Sequence, residues 1–136
     1  MNEQEIAQAV RTLEFYKTQL ENFDQQYEFM AMTIREHAKA KETMEGIKDI
    51  KAETETLIPI GAGSYIFAKV GDSEKAIVGI GADVLVETTM DDAISKIDER
   101  TSEIEEAMKS LTEKYQEIAN KATELSTLIQ SSYVKE

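Results

Sequence analysis

Apolar side chains near the start of the chain recur every seven residues, at Ile6, Leu13, Leu20, Tyr27 and Ile34. A second series follows three residues behind, at Ala9, Tyr16, Phe23, Met30, His37 and Met44. Together they form the a and d stripe of a coiled coil, sustained for longer than the three to four heptads that give such a pattern weight. After Met44 the register slips: Lys41 and Lys48 fall on a positions, and Ile47 and Ile50 take over the seam. Such a shift changes the winding without ending the helix.

The last third repeats the arrangement. Ile97, Ile104, Leu111, Ile118 and Leu125 step by seven, with Ile94, Thr101, Met108, Tyr115, Ala122 and Ile129 as the companion series. Its start is marked by "TTMDDA", where Thr89 is placed to cap the helix, Asp92 occupies the capping-box position, and Asp91 and Asp92 suit the positive helix N-terminus. The pattern predicts helices over roughly residues 1–53 and 89–134, each about 65 to 80 Å long. A narrow apolar stripe on so long a helix needs one partner helix and leaves the rest of the circumference wet. Two matched stripes in one chain therefore predict an antiparallel hairpin with both ends of the chain at one tip.

Between the helices lie four short strand patterns, spanning residues 56–60, 64–70, 75–80 and 84–88. "GAG" separates the first two, "GAD" the last two, and "GDSE" joins the pairs, so the segment 56–88 reads as two consecutive β-hairpins with glycine and aspartate supplying positive φ at the turns. Pro59 has no N–H to donate, which predicts that the first strand pairs on one side only. Gly79 marks an expected bulge or close backbone approach.

These strands are apolar on both faces. Tyr65 and Phe67 point one way, Ile66, Ala68 and Val70 the other, and "AIVGI" and "VLV" are likewise two-sided. Sheets wet on one side normally alternate. A sheet of about four short strands with two apolar faces is not completed by two long helices, so other subunits are expected to cover it. The expected contact residues are Leu57, Ile58 and Ile60 on the first strand, Tyr65, Ile66, Phe67 and Val70 on the second, Ile77, Val78 and Ile80 on the third, and Val84, Leu85 and Val86 on the fourth. Burying such side chains is worth roughly 1.5 to 3 kcal/mol each, enough to drive assembly.

Composition agrees with a helix-dominated, ordered chain of one domain: of 136 residues, 41% are hydrophobic, 31% charged and 7% aromatic, with a single proline. The absence of cysteine excludes a disulfide framework and thiolate-ligated zinc. There is no basic-then-apolar leading segment and no apolar run of about 18 residues, so a cytoplasmic protein is expected. The net charge of −12, without a Lys/Arg cluster, opposes binding to nucleic acid or to an anionic membrane.

The stretch "LIPIGAGSYIFAKV", followed by "VGIGADVLVETTMDDAISKID" and set between two heptad helices, resembles the α subunits of archaeal prefoldin over essentially the whole chain. The strand-turn motifs are its most specific part. The resemblance implies an α+β fold: a long antiparallel coiled-coil hairpin whose two central β-hairpins oligomerise into a β-barrel platform, residues 1–136 forming one prefoldin-type domain. It also implies a hexamer of two α and four β-type subunits, since two hairpins mark the α type and one the β type. Such assemblies capture unfolded client proteins at the coiled-coil tips without ATP or another cofactor and pass them to a group II chaperonin.

That mechanism suits a coiled coil that frays at its open end and bares its seam. The candidate client-binding residues are Ile6, Val10 and Leu13 from the first helix, with Leu125, Leu128, Ile129, Tyr133 and Val134 from the second. The plainer alternative is that they close on one another as ordinary seam residues.

Other signals are weaker. The glycines of "GAGS" and "GIGAD" lack the full dinucleotide or Walker fingerprint and are explained by hairpin turns. His37, the sole histidine, sits at a d position, where a carboxylate or water is expected to satisfy it, and one histidine makes no zinc site. No constellation of catalytic residues is visible, so an enzyme is not expected. The second functional reading is a structural coiled-coil or filament-forming protein without client binding.

Overall fold

The computed structural model describes residues 1–134; the last two positions of the expected 1–136 domain lie outside the described residues. The elements run α1 (Glu3–Ile47), β1 (Glu55–Gly61), β2 (Ser64–Lys69), β3 (Lys75–Gly81), β4 (Val84–Thr89) and α2 (Met90–Val134). Two compact units are present, one from residues 1–33 with the stretch beginning at Glu103, the other from residues 34–102.

In the first unit α1 starts at a reciprocal cap. The Glu5 amide donates to Asn2 Oδ1 at 2.8 Å, and the Asn2 amide donates back to Glu5 Oε2 at 3.4 Å, so the first-turn donors are shared between backbone and side chain. Ile6, Ala9, Leu111 and Ile129 are buried, which places the core of this unit on the predicted seam. Residues 9–16 of α1 share a groove with residues 121–128 of α2, and Phe23 and Tyr27 share another with Leu111 and Tyr115. Numbers rising on one helix as they fall on the other make the pairing antiparallel.

Within the second unit the helices are also paired antiparallel. His37 lies against Thr101, Lys41 against Asp98 at 2.9 Å, and Lys48 against Asp91 at 2.8 Å. In both ion pairs the carboxylate accepts a hydrogen bond from the ammonium and attracts its charge, holding Lys41 and Lys48 above the usual lysine value. The core sits where hairpins meet helices: Val70, Met90, Ala93 and Ile97 are buried, and the Met90 amide donates to the Glu74 carbonyl at 2.7 Å.

Helix α1 ends at Ile47, not near residue 53 as the seam pattern predicts. The cause is a commitment made elsewhere in the chain. The Glu53 amide donates to the Val70 carbonyl at 2.8 Å and the Val70 amide to the Thr54 carbonyl at 2.9 Å, extending the β1–β2 ladder past its strands. Glu53 takes φ of 70°, which no helix tolerates, and both the amide and the hydroxyl of Thr54 donate to the Lys51 carbonyl. Ile47 and Ile50 remain half-buried, so the shifted seam residues still pack although the second has left the helix.

Each hairpin forms its own two-stranded antiparallel sheet, so the four strands do not make one sheet within the chain. Their registers repeat with a step of twenty residues: Glu55 pairs with Lys69 as Lys75 pairs with Thr89, and Gly61 with Ser64 as Gly81 with Val84. Both contain a bulge before the turn, at Pro59–Gly61 and Gly79–Gly81. The turns use positive φ at Gly61, Ala62 and Gly63 and again at Gly81, Ala82 and Asp83. The central pairs, Ala62–Gly63 and Ala82–Asp83, have the φ signs of the hairpin turn that matches strand twist, and an alanine stands at the first position of each. Pro59 faces Tyr65, and among the described residues β1 pairs with β2 alone, which suits its missing donor.

Candidate interaction surfaces

Strand pairing sorts the hairpin side chains onto faces. In the first hairpin Leu57 stands opposite Phe67 and Pro59 opposite Tyr65 on one face, while Thr56 with Ala68 and Ile58 with Ile66 occupy the other. The first face is the barer. Phe67 is 77% exposed, and Leu57 and Tyr65 are also largely open. In the second hairpin Ile77 and Leu85 fill the equivalent face at 67% and 69% exposure. An isolated two-stranded hairpin is marginal in water, and these leave large apolar side chains wet on both sides.

The opposite face of the second hairpin is partly used within the chain. Val78, Ile80, Val86 and Thr88 line a cleft of about 230 Å³ over Asp92 and Lys96 of α2. Arg100, one turn further along that helix face, donates from Nη2 to the Gly79 carbonyl at 2.9 Å. This contact occupies a carbonyl at the bulge and fastens the hairpin to α2. Two expected subunit-contact residues are less open than the others in the chain. Val70 is buried at the junction, because its backbone closes the ladder with Glu53 and Thr54 and turns its side chain inward; Val78 is half-buried over α2. Of the remaining expected contact residues, all are exposed apolar side chains.

The predicted tip residues divide. Ile6 and Ile129 are buried, and Leu13 and Leu125 are half-buried, so these four pack in the seam of the paired helices. Val10, Leu128, Tyr133 and Val134 remain open, the last at 85% exposure. Beside them Ala9, Thr12, Tyr16, Leu125 and Leu128 line a shallow groove of about 530 Å³, with Glu5, Glu124 and Lys121 at its polar rim. Slim alanine at the seam leaves room that a larger side chain would fill.

His37 meets a threonine hydroxyl across the helix pair. Its Nδ1 lies 3.1 Å from Thr101 Oγ1, and that hydroxyl donates its only proton to the Ile97 carbonyl at 2.9 Å. With that proton committed, the threonine oxygen is the group left to accept, which suits the His37 tautomer with its N–H on Nδ1. Among the described residues no three His, Asp or Glu side chains converge as a metal site, and no helix is long and apolar enough to cross a membrane. The G-x-G stretches are hairpin turns.

Sequence reasoning missed the Asn2–Glu5 cap, although "NEQE" carries that signature, and the twenty-residue repeat, visible as "IGA" at both turns. Nothing in the sequence announces the bond between Arg100 and Gly79.

A family model for Prefoldin subunit matches residues 16–135. The chain belongs to the prefoldin subunit family. Similar prefoldin sequences are archaeal α subunits. That of Methanopyrus kandleri is 44% identical over 68 residues, covering 50% of this chain and 43% of the relative. Prefoldin subunit alpha 1 of Thermococcus kodakarensis is 40% identical over 76 residues, covering 56% and 52%. The α subunit of Methanoculleus marisnigri is 30% identical over 131 residues, covering 91% and 85%. The match thus spans about half the length of the first two relatives and most of the third. Filamentous PFD from Methanocaldococcus jannaschii shares the fold with a TM-score of 0.75 at 19% identity, over 86% of this chain and 97% of the other. The prefoldin β subunit from Thermococcus strain KS-1 gives 0.61 at 20% identity, over 94% and 91%. Two long helices flanking two small antiparallel hairpins are the α+β prefoldin fold, of the α type.

Proposed function

We propose that this chain is the α-type subunit of an ATP-independent holdase chaperone in the cytoplasm, acting as a single prefoldin-type domain. The observation that carries the reading is the pair of bare hairpin faces, Leu57, Tyr65 and Phe67 on one and Ile77 and Leu85 on the other. They supply apolar surface of the kind that subunit contacts bury, at about 25 cal/mol per Å². The partners are a second α subunit and β-type subunits, in a hexamer of two α and four β. Closure between chains would remove the strand edges as well.

Client binding falls to the open side chains at the start of α1 and the end of α2: Val10, Leu128, Tyr133 and Val134. Ile6, Leu13, Leu125 and Ile129 join them when the helix pair frays. Each contact is weak and geometrically undemanding, and several coiled coils acting together supply avidity. The held polypeptide passes to a group II chaperonin. The test is suppression of aggregation of a chemically denatured enzyme without nucleotide, at near-stoichiometric ratios of the assembled protein; a purely structural subunit leaves aggregation unchanged.

A second reading rests on the filamentous state named for the Methanocaldococcus jannaschii neighbour. In it the same hairpin faces build an open polymer without client binding. The forms separate by mass: a closed ring has one, a filament a distribution that grows with concentration.

A further inference from the structure

Helix α1 carries a second stripe with heptad spacing, on a face away from the seam. Phe15, Asn22 and Phe29 step by seven, and Thr18, Gln25 and Met32 follow three residues behind. Gln19, Gln26 and Thr33 complete the face, and none of these positions is charged, although 31% of the chain is. Charge returns along the helix at Arg11 and at Arg35 and Glu36, and Glu14, Glu21 and Glu28 form an acidic row beside Thr18, Gln25 and Met32. Within the stripe Phe15 is 59% exposed, Phe29 66% and Met32 46%, and Asn22, Gln25 and Gln26 share with Phe29 and Met30 a shallow hollow of about 380 Å³. All of it lies within the first compact unit.

We propose that this face is a track on which an extended stretch of non-native polypeptide rests. The inference builds on the holdase reading and adds a binding surface to it. A second helix is the wrong occupant. Between its aromatic anchors the stripe puts Thr18, Asn22 and Gln25 at the positions a coiled-coil seam fills with Leu, Ile or Val, so packing a helix there buries amides against apolar side chains with too little apolar area to hold a stable pair. An extended chain fits better. Its peptide N–H and C=O groups are free, and Asn and Gln side chains offer both donors and acceptors to meet them. Phe15 and Phe29 stand about 21 Å apart along the helix, the reach of about six or seven extended residues.

The test uses the full chain in its purified assembly and reduced, carboxymethylated α-lactalbumin as a permanently unfolded, acidic probe. Because the anchors are exposed, a Phe15→Gln, Phe29→Gln, Met32→Gln triple variant keeps its fold, checked by native mass and helical circular dichroism. Its affinity for the probe falls about five- to ten-fold, the effect of losing part of a multi-site grip. A second variant, Asn22→Glu with Gln25→Glu, weakens binding of the same probe in a way that added salt reverses. Unchanged affinity in the triple variant overturns the inference, and a changed native mass overturns it too, by making the stripe a subunit contact. Loss of binding in a Leu128→Ser, Val134→Ser variant alongside a normal stripe variant removes the track and leaves the holdase reading standing. If the unaltered assembly does not bind the probe, both fall together.

Discussion

His37 Nδ1 and Thr101 Oγ1 meet at 3.1 Å across the helix pair, each on a heptad position that otherwise holds apolar side chains. Since Thr101 gives its proton to the Ile97 carbonyl, the imidazole N–H has one acceptor, and removing that acceptor strands a half-buried donor. Thr101→Val is expected to cost about 1 to 2 kcal/mol. His37→Leu combined with Thr101→Val recovers most of it, because two apolar partners of similar shape leave nothing unpaired. Urea unfolding of the two single variants and the double variant checks this; strict additivity would mean that the pair is not coupled.

The lysine pairs give stability a defined pH dependence. Asp98 and Asp91 hold the Lys41 and Lys48 ammonium groups above the ordinary value of 10.5. A raised folded-state pKa gives stabilisation that is complete below the ordinary value and disappears as pH rises through the raised one. The urea midpoint should therefore decline between about pH 9 and about pH 12 more steeply in the native protein than in an Asp91→Asn, Asp98→Asn variant. All four side chains are substantially exposed, so the difference is small and shrinks further in salt.

The alanines at the hairpin turns leave stability unused. Ala62 and Ala82 sit at φ of 51° and 49°, where an L side chain with a Cβ is disfavoured by about 1 kcal/mol. Ala62→Asn creates the Asn-Gly pair that suits this turn, and Ala82→Gly removes the Cβ outright. Each is expected to stabilise by about 0.5 to 1 kcal/mol, read as a rise in the unfolding midpoint of the assembled protein. A fall at either position contradicts the turn geometry.

The start of α2 is set by one hydroxyl. Thr89 Oγ1 accepts from the Asp92 amide at 3.1 Å, as the "TTMDDA" signal requires. Thr89→Ala is expected to cost about 1 kcal/mol, and Thr89→Ser to retain most of the stability, by thermal unfolding.

The legible parts of this fold are those written in short-range pattern. Seven-residue spacing fixed Ile6 and Ile129 as seam residues, and the glycines before Ala62 and Ala82 announced the turns, because both signals act within a few residues. The parts that were not legible depend on which distant residues meet. Helix α1 stops early because Glu53 pairs with Val70, and Val70 is withdrawn from the outer surface by that same ladder. Thr101 becomes the partner of His37 only once the two helices are set in register, and Arg100 reaches Gly79 only once the second hairpin lies over α2. For the tips, spacing named candidates but could not sort closed Ile129 from open Val134, which differ by five positions and by their place on the helix face.

The central claim is that the hairpin faces are incomplete in one chain and become covered by other subunits. Native mass of the full chain mixed with a β-type subunit, compared with a Phe67→Ser, Leu85→Ser variant, tests it most directly. The account predicts one closed complex of several subunits for the native chain and, for the variant, smaller species that keep their helical content. A native chain that stays monomeric at high concentration with its partner present, or a variant of unaltered mass, would contradict it.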